Sequence, residues 1–485
     1  MTYFLKKLPY PIVTLALLSA CSAVGPNYVK PDVQAPNKWT NAQTFETSRA
    51  EMRDLSHWWQ QLGDTMLSSL VEEALLNSPD IHNAQAKLRE VRARSDLADD
   101  NRYPTVTASG SASRNKSSTN TGSGARSNLF KAGFDASWEP DIFGGQRRAT
   151  EAAEADLGAS QASLHDTQVT LVAEVALNYI QLRSYQARLT IAHDNLATQQ
   201  QTLQITDWRE QAGLATSLDV EQARTNMAQT KSTIPTLNTS LTKSENRLAI
   251  LLGKSPGALH DLLIAPTALP TVPEYLAVGI PADTLRQRPD VRAAERKLAA
   301  ETARVGQKTA TLYPSFSLSG SFGWSSLTLG ALGGAGTTVS SLIGSMTQSI
   351  FDAGRTRSNI KIQHAIQEQA LVGYEQSVLT ALEDVENALT SCANNRQQQA
   401  ALNQAAQASR NAALLAKLRY ESGLVDFQKV LDTERTRLSA EDSLASAQAD
   451  GLASLISLYK ALGGGWSEVP TPDIKTKVII ESKQS

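Results

Sequence analysis

The 485 residues hold two cysteines, five methionines and six histidines, and no charge of either sign in excess: 46 Lys and Arg stand against 48 Asp and Glu. A net charge of −2 leaves nothing to neutralise a phosphate backbone, so nucleic-acid binding is disfavoured. The histidines are scattered without paired ligand spacing, and no metal or other cofactor is expected. Enzyme motifs are wanting as well. Gly253-Lys254-Ser255 ends like a phosphate-binding loop, but Leu248 stands where that loop needs glycine. No Gly-x-Ser-x-Gly elbow occurs, so no catalysis is expected. Beyond the N-terminus there is no run of 18 or more apolar residues, which excludes a transmembrane helix and leaves a β-barrel as the one way across a bilayer. Proline is missing between Pro140 and Pro235 and between Pro314 and Pro470, which leaves room for very long helices.

The first twenty residues carry Lys6 and Lys7, then an apolar stretch from Ile12 that closes on small residues. This is the layout of a secretory signal, too short to span a membrane. Leu18-Ser19-Ala20-Cys21 resembles a bacterial lipobox, which implies that Cys21 receives diacylglycerol and acyl chains such as palmitate and becomes the mature N-terminus. Ser22 after it, rather than aspartate, favours the outer membrane under the sorting rule this motif resembles. With Cys21 consumed, Cys392 is left alone and no internal disulfide forms.

The most informative feature is a tandem repeat at a constant separation of 210 positions. Asn77-Ser78-Pro79-Asp80-Ile81 returns as Gln287-Arg288-Pro289-Asp290-Val291, Tyr103-Pro104 as Tyr313-Pro314, Gly213-Leu214 as Gly423-Leu424, and Leu252-Gly253 as Leu462-Gly463. The chain divides into a signal peptide (1–20), a lipidated segment (21–62), two repeats (63–270 and 271–466) and a polar tail (467–485). Each repeat opens with a helix, in the first from Leu67 to Arg102. A strand follows with small or apolar residues at Val106, Ala108, Gly110 and Ala112, then a polar loop from Arg114 to Asn128. The returning strand has Phe130, Phe134 and Trp138 on one face. The second repeat matches with Phe316, Leu318, Phe322 and Trp324, a Gly-rich loop at 330–336 and a strand leading to Phe351. Alternation of this kind suits a wall between lipid and water.

A helix then runs from about Gln146 to Gln211, turns at Gly213 and returns; its counterpart turns at Gly423. Leu157, Leu164, Leu171, Val175, Leu182, Tyr185, Leu189, Ala192, Leu196 and Leu203 share one heptad seam, and Leu371, Val378, Leu382, Val385, Leu389 and Cys392 form a similar one. Such narrow seams predict coiled-coil packing with wetted flanks. Four strands cannot close a membrane barrel, so copies must join: two would give eight strands, three twelve.

The order and motifs resemble the outer-membrane factor family of the TolC and OprM kind, and within it the RND efflux outer-membrane lipoprotein or NodT branch. The resemblance rests on Cys21-x3-Gly25-Pro26-Asn27-Tyr28-x2-Pro31, Arg288-Pro289-Asp290-Val291, Phe351-Asp352-Ala353-Gly354-Arg355 and Val430-Leu431-Asp432. It implies an α+β membrane protein: a homotrimer whose twelve-stranded outer-membrane β-barrel continues into a long periplasmic α-helical barrel. It further implies a passive exit duct for small toxic compounds that works with a periplasmic adaptor and an inner-membrane RND transporter. In this family the helical hairpin tips meet the adaptor; here they are Gly213-Leu214-Ala215-Thr216-Ser217 and Gly423-Leu424-Val425-Asp426-Phe427. The glycines also read as helix C-caps and the polar residues after them as N-caps. Asp219 and Tyr420 match gate positions, and Lys429 replaces a second gate aspartate, so that an Asp219–Lys429 ion pair would close the aperture. Two other readings are a type I secretion duct for polypeptides and a lipid-anchored coiled-coil scaffold without a pore.

Overall fold

The structure is a computed structural model that describes residues 23–32, 36, 39–40, 55–270 and 281–467. The signal segment, Cys21 and the tail beyond Ser467 lie outside the described residues. After a short 3-10 turn at Trp58–Leu62 come α1 (Thr65–Asn77), α2 (Pro79–Asp100), β1 (Thr105–Lys116), β2 (Arg126–Trp138), α3 (Gly145–Gln211), α4 (Ser217–Leu251) and α5 (His260–Leu263). The second half gives α6 (Pro281–Gln287), α7 (Pro289–Ala310), β3 (Ser315–Ser326), β4 (Thr338–Thr347), α8 (Arg355–Glu421) and α9 (Phe427–Ala461).

The repeat is carried into the lengths of the long helices. α3 and α8 each have 67 residues, about 100 Å at 1.5 Å per residue. α4 and α9 each have 35, and α2 and α7 each have 22. The repeat even reuses a backbone acceptor: Trp138 Nε1 donates to the Arg102 carbonyl (2.9 Å), and Gln348 Nε2, 210 positions on, donates to the Leu312 carbonyl (3.1 Å).

Two expectations are corrected. The helix expected over Leu67 to Arg102 is two helices, because Pro79 disfavours helical backbone in the residue before it and Ser78 is extended (φ −62°, ψ 131°). The polar loop expected over Arg114 to Asn128 is shorter, since the ladder continues through Lys116 paired with Arg126. Apolar alternation fades in the polar residues near the strand ends, whereas backbone pairing continues through them.

The chain forms two compact units. The first takes residues 23–32 with Ala86–Gln161 and Arg292–Ser377. Its sheet has the order β1-β2-β3-β4, antiparallel throughout. The register sets Ala108 beside Phe134, Phe134 beside Phe322, Ala132 beside Trp324, Trp138 beside Leu318 and Phe316 beside Met346, so one face is apolar across all four strands. The opposite face is mostly Ser, Thr and Gly, including Ser109, Ser111, Ser319 and Ser321. Gly133 and Gly323 are partners across the β2–β3 seam; a Cβ built on Gly323 would lie 2.7 Å from the Gly133 Cα.

The second unit includes Ala162–Val291 and the chain from Val378 onward. Its core joins Trp58, Trp59, Leu67 and Leu70 to Val172, Tyr179, Leu248, Val385, Leu389 and Ile456, with Trp58 stacked on Tyr459 at 5.0 Å. Tyr179 donates to Asp64 (2.7 Å), and burial foremost pushes its hydroxyl up to about 12. In both repeats a left-handed glycine ends the returning helix against the Pro-Asp motif. A Cβ on Gly253 would lie 2.5 Å from the Asn77 carbonyl oxygen, and one on Gly463 would lie 3.1 Å from the Arg288 Cα.

The heptad seam holds for Leu164, Leu171, Val175, Leu182 and Ala192, which are buried, and fails beyond them. There Asn195, Gln199, Thr202 and Thr206 are at most 4% exposed, while Leu196 and Leu203 are only half-buried. Carboxylates on α9 draw the polar residues inward: Thr202 donates to Glu434 (2.7 Å) and Asn195 to Glu441 (3.1 Å).

Candidate functional site

At the first tip, Gly213 has φ +71° and the Leu214 amide donates to the Arg209 carbonyl (2.7 Å), which closes α3 in a left-handed cap. The second tip repeats this with Gly423 at φ +73° and Leu424 donating to Arg419 (2.8 Å). Thr216 starts α4 with a capping box. Its side chain accepts from the Asp219 amide (3.2 Å), while the Asp219 carboxylate accepts from the Thr216 amide (2.9 Å) and hydroxyl (2.8 Å). Asp426 starts α9 and accepts from the Lys429 amide (3.1 Å). Ala215 and Ser217 complete the first turn, Val425 packs beside the second, and Leu214 and Leu424 are 69% and 75% exposed.

Behind the tips a small cluster unites four helices: Ala223 of α4, Tyr420 of α8, and Phe427, Val430 and Leu431 of α9, with Leu203 and Ile205 of α3 packed on it. Tyr420 meets Phe427 edge-on at 5.8 Å. The Arg209 guanidinium lies 4.5 Å from the centre of the Tyr420 ring and donates to the Tyr420 carbonyl (2.7 Å). The Tyr420 hydroxyl is buried with no hydrogen-bond partner among the described residues. Tyr420 and the helix of Asp219 are thus brought together. Asp219 and Lys429 are not paired within one chain: among the described residues neither enters an ion pair, and the Asp219 carboxylate is spent on its own cap.

Sequence reasoning passed over the residues that brace these helices. Burial pushes the Glu434 carboxyl up, opposed by the Thr202 hydrogen bond. Burial works the same way on Glu441, but hydrogen bonds from Arg410 (2.6 Å) and Asn195, with the charges of Arg437 and Arg410, hold it below the usual range. No seam was expected over α9, so neither glutamate stood out in the sequence. Arg148 was missed too. It is 4% exposed and grips the N-terminal segment through the Val24 and Gly25 carbonyls (3.2 and 3.3 Å) and Asn27 Oδ1 (2.7 Å). Nothing in the spacing of Gln146-Arg147-Arg148 marks it.

A short sheet with one apolar face and two open edges, joined in sequence to paired 67- and 35-residue helices, defines an outer-membrane channel subunit that closes its wall with further copies. The chain belongs to the outer membrane efflux protein family, whose model matches residues 70–254 and 280–464. It is 30% identical over 460 residues to the cation efflux system protein CusC of Escherichia coli, covering 95% of this chain and 99% of that one. It is 32% identical over 472 residues to the pyoverdine export outer membrane protein OpmQ of Pseudomonas putida, covering 95% and 97%. The solved outer-membrane channel OprN superposes with a TM-score of 0.86 at 38% identity, covering 91% of this chain and 99% of that one. The protein is a trimeric efflux channel of the outer membrane.

Proposed function

We propose that this channel is the lipid-anchored exit duct of a tripartite RND pump, fixed to the outer membrane through Cys21, and that it discharges small toxic compounds without catalysis of its own. Residues 63–270 and 271–466 are its two repeats. The observation that carries the reading is the pair of capped tips, each exposing a leucine beside a polar helix start. Leu214 with Ala215, Thr216 and Ser217, and Leu424 with Val425 and Asp426, form the surface for a periplasmic adaptor; Gly213 and Gly423 set its turns. Asp219, Tyr420 and Lys429 regulate the aperture, with Asp219 and Lys429 meeting across neighbouring copies. That relatives carry names as different as cation efflux and pyoverdine export supports a duct that leaves the choice of cargo to the inner-membrane transporter.

The test is single-channel conductance of the purified trimer in planar bilayers, wild type against Asp219→Ala. Small, mostly closed currents that grow in the variant are the expected result. Equal conductance in both, from well-folded trimers, would remove Asp219 from the gate.

A further inference from the structure

At the helix-bearing end of the sheet lies a cavity of about 450 Å³ lined by Pro140, Ile142, Phe143, Tyr313, Pro314 and Phe316, among others. Phe143 stacks on Tyr313 at 4.7 Å, and Phe316 belongs to the apolar face of the sheet, so the cavity is continuous with the surface that meets lipid. Asp141, also on its wall, is engaged by Arg147 through the amide (2.8 Å) and the guanidinium (3.5 Å).

The N-terminal segment ends beside this cavity. The Val24 amide donates to the carbonyl of Phe143 (3.1 Å), itself a wall residue. Ala23 lies so close to Gly144 that a Cβ there would sit 2.6 Å from the Ala23 Cα, and the next residue, Gly145, also lines the cavity. The placement is held by the buried Arg148 on Val24, Gly25 and Asn27. It is held again at Gly25, which lies against Gly306 where no Cβ could fit. From Ala23 back to Cys21 is two residues, at most about 7 Å of extended chain. Whatever is attached to the Cys21 sulfur therefore starts within reach of the cavity.

We infer that this cavity is an acyl-binding site, and that its occupant is a fatty-acyl chain of the lipid carried by Cys21. The inference rests on the anchor reading above. The aromatic and proline side of the wall, open to the lipid face, suits a hydrocarbon chain, while Glu139, Gln146 and Gln307 form its polar side. A chain seated there would lock the anchor to the base of the sheet instead of leaving it free in the bilayer.

The test uses full-length protein from cells fed a photoreactive, clickable fatty acid, irradiated after purification, digested and read by mass spectrometry. The expected result is a lipid-bearing N-terminal peptide cross-linked to peptides spanning 139–146 or 307–316. That cross-link should be lost in Cys21→Ala exported behind a non-lipoprotein signal. A labelled N-terminal peptide that cross-links only elsewhere overturns the site while leaving the anchor intact. An N-terminal peptide without label overturns the anchor, and the site with it. Cavity cross-links that persist in Cys21→Ala assign the cavity to a bilayer lipid and overturn the inference.

Discussion

Arg288, the residue before α7, donates through Nη1 to the carbonyl of Ala461, the last residue of α9, at 3.0 Å. The final carbonyls of a helix have no partner within it, and here a guanidinium supplies one. The same side chain is bidentate to Asp290 (3.0 and 2.6 Å) and reaches Asp384 at 3.0 Å. Burial opposes its charge, yet the two carboxylates prevail and hold its pKa above the usual value.

Removing this arginine leaves a buried carbonyl and carboxylates without their cation. Arg288→Ala should cost about 2 kcal/mol, and Arg288→Lys should recover only part of it because an ammonium cannot fork. The dissociation temperature of trimers in detergent would register both; a wild-type value for Arg288→Ala would mean that the network contributes nothing.

The two buried glutamates of α9 should respond to pH in opposite directions. Glu434 is raised in the folded state, so its stabilising contribution is full below the unfolded carboxylate range and is lost as pH rises through the folded value. Glu434→Gln should therefore stabilise the protein at neutral pH, by about 1 kcal/mol. Glu441 is lowered, so its contribution is present above the unfolded range and disappears as pH falls through the folded value. Glu441→Gln should destabilise at neutral pH, and the difference from wild type should narrow in acid. Melting curves from pH 4 to 8 would separate the two.

Capping and charge at Asp219 can be told apart. Thr216→Ala removes both hydrogen bonds of the Thr216 hydroxyl but keeps the carboxylate and its bond from the backbone amide, and should cost about 1 kcal/mol of helix stability. Asp219→Asn keeps an acceptor but discards the charge. If the aperture is electrostatic, only Asp219→Asn should weaken the preference for cations in reversal-potential measurements.

The glycine pair in the sheet leaves no alternative to close approach. Gly133→Val or Gly323→Val would push a branched side chain into the backbone of the neighbouring strand, where even a Cβ comes within 2.7 Å of a carbonyl oxygen or Cα. Either should abolish detergent-resistant trimers, which gel mobility without boiling would reveal.

Much of this architecture was legible because duplication made weak signals strong. One alternating strand is ambiguous, but Phe130, Phe134 and Trp138 followed by Phe316, Phe322 and Trp324 are not, and the turns at Gly213 and Gly423 announced themselves twice. What stayed hidden was the role of polar residues in helix interiors. Periodicity assigned Leu196 and Leu203 to the seam and could not see that Glu434 and Glu441 would draw Asn195 and Thr202 inward instead. Of the residues expected at the aperture, Tyr420 lies in the tip cluster with α4, and the carboxylate of Asp219 is engaged by its own helix start. Arg148 left no trace in the sequence, because a buried arginine and a solvated one look the same until their partners are known.

The sheet order β1-β2-β3-β4 sets β1 and β4 at opposite margins of each chain. Copies must therefore join head to tail around a rotation axis, and every seam uses two different edges. A chain defective at one margin still offers a sound one, so it is admitted to rings that it then leaves open. Co-expressed with intact chains, such a subunit would be dominant, and the share of sound rings would fall as the cube of the intact fraction.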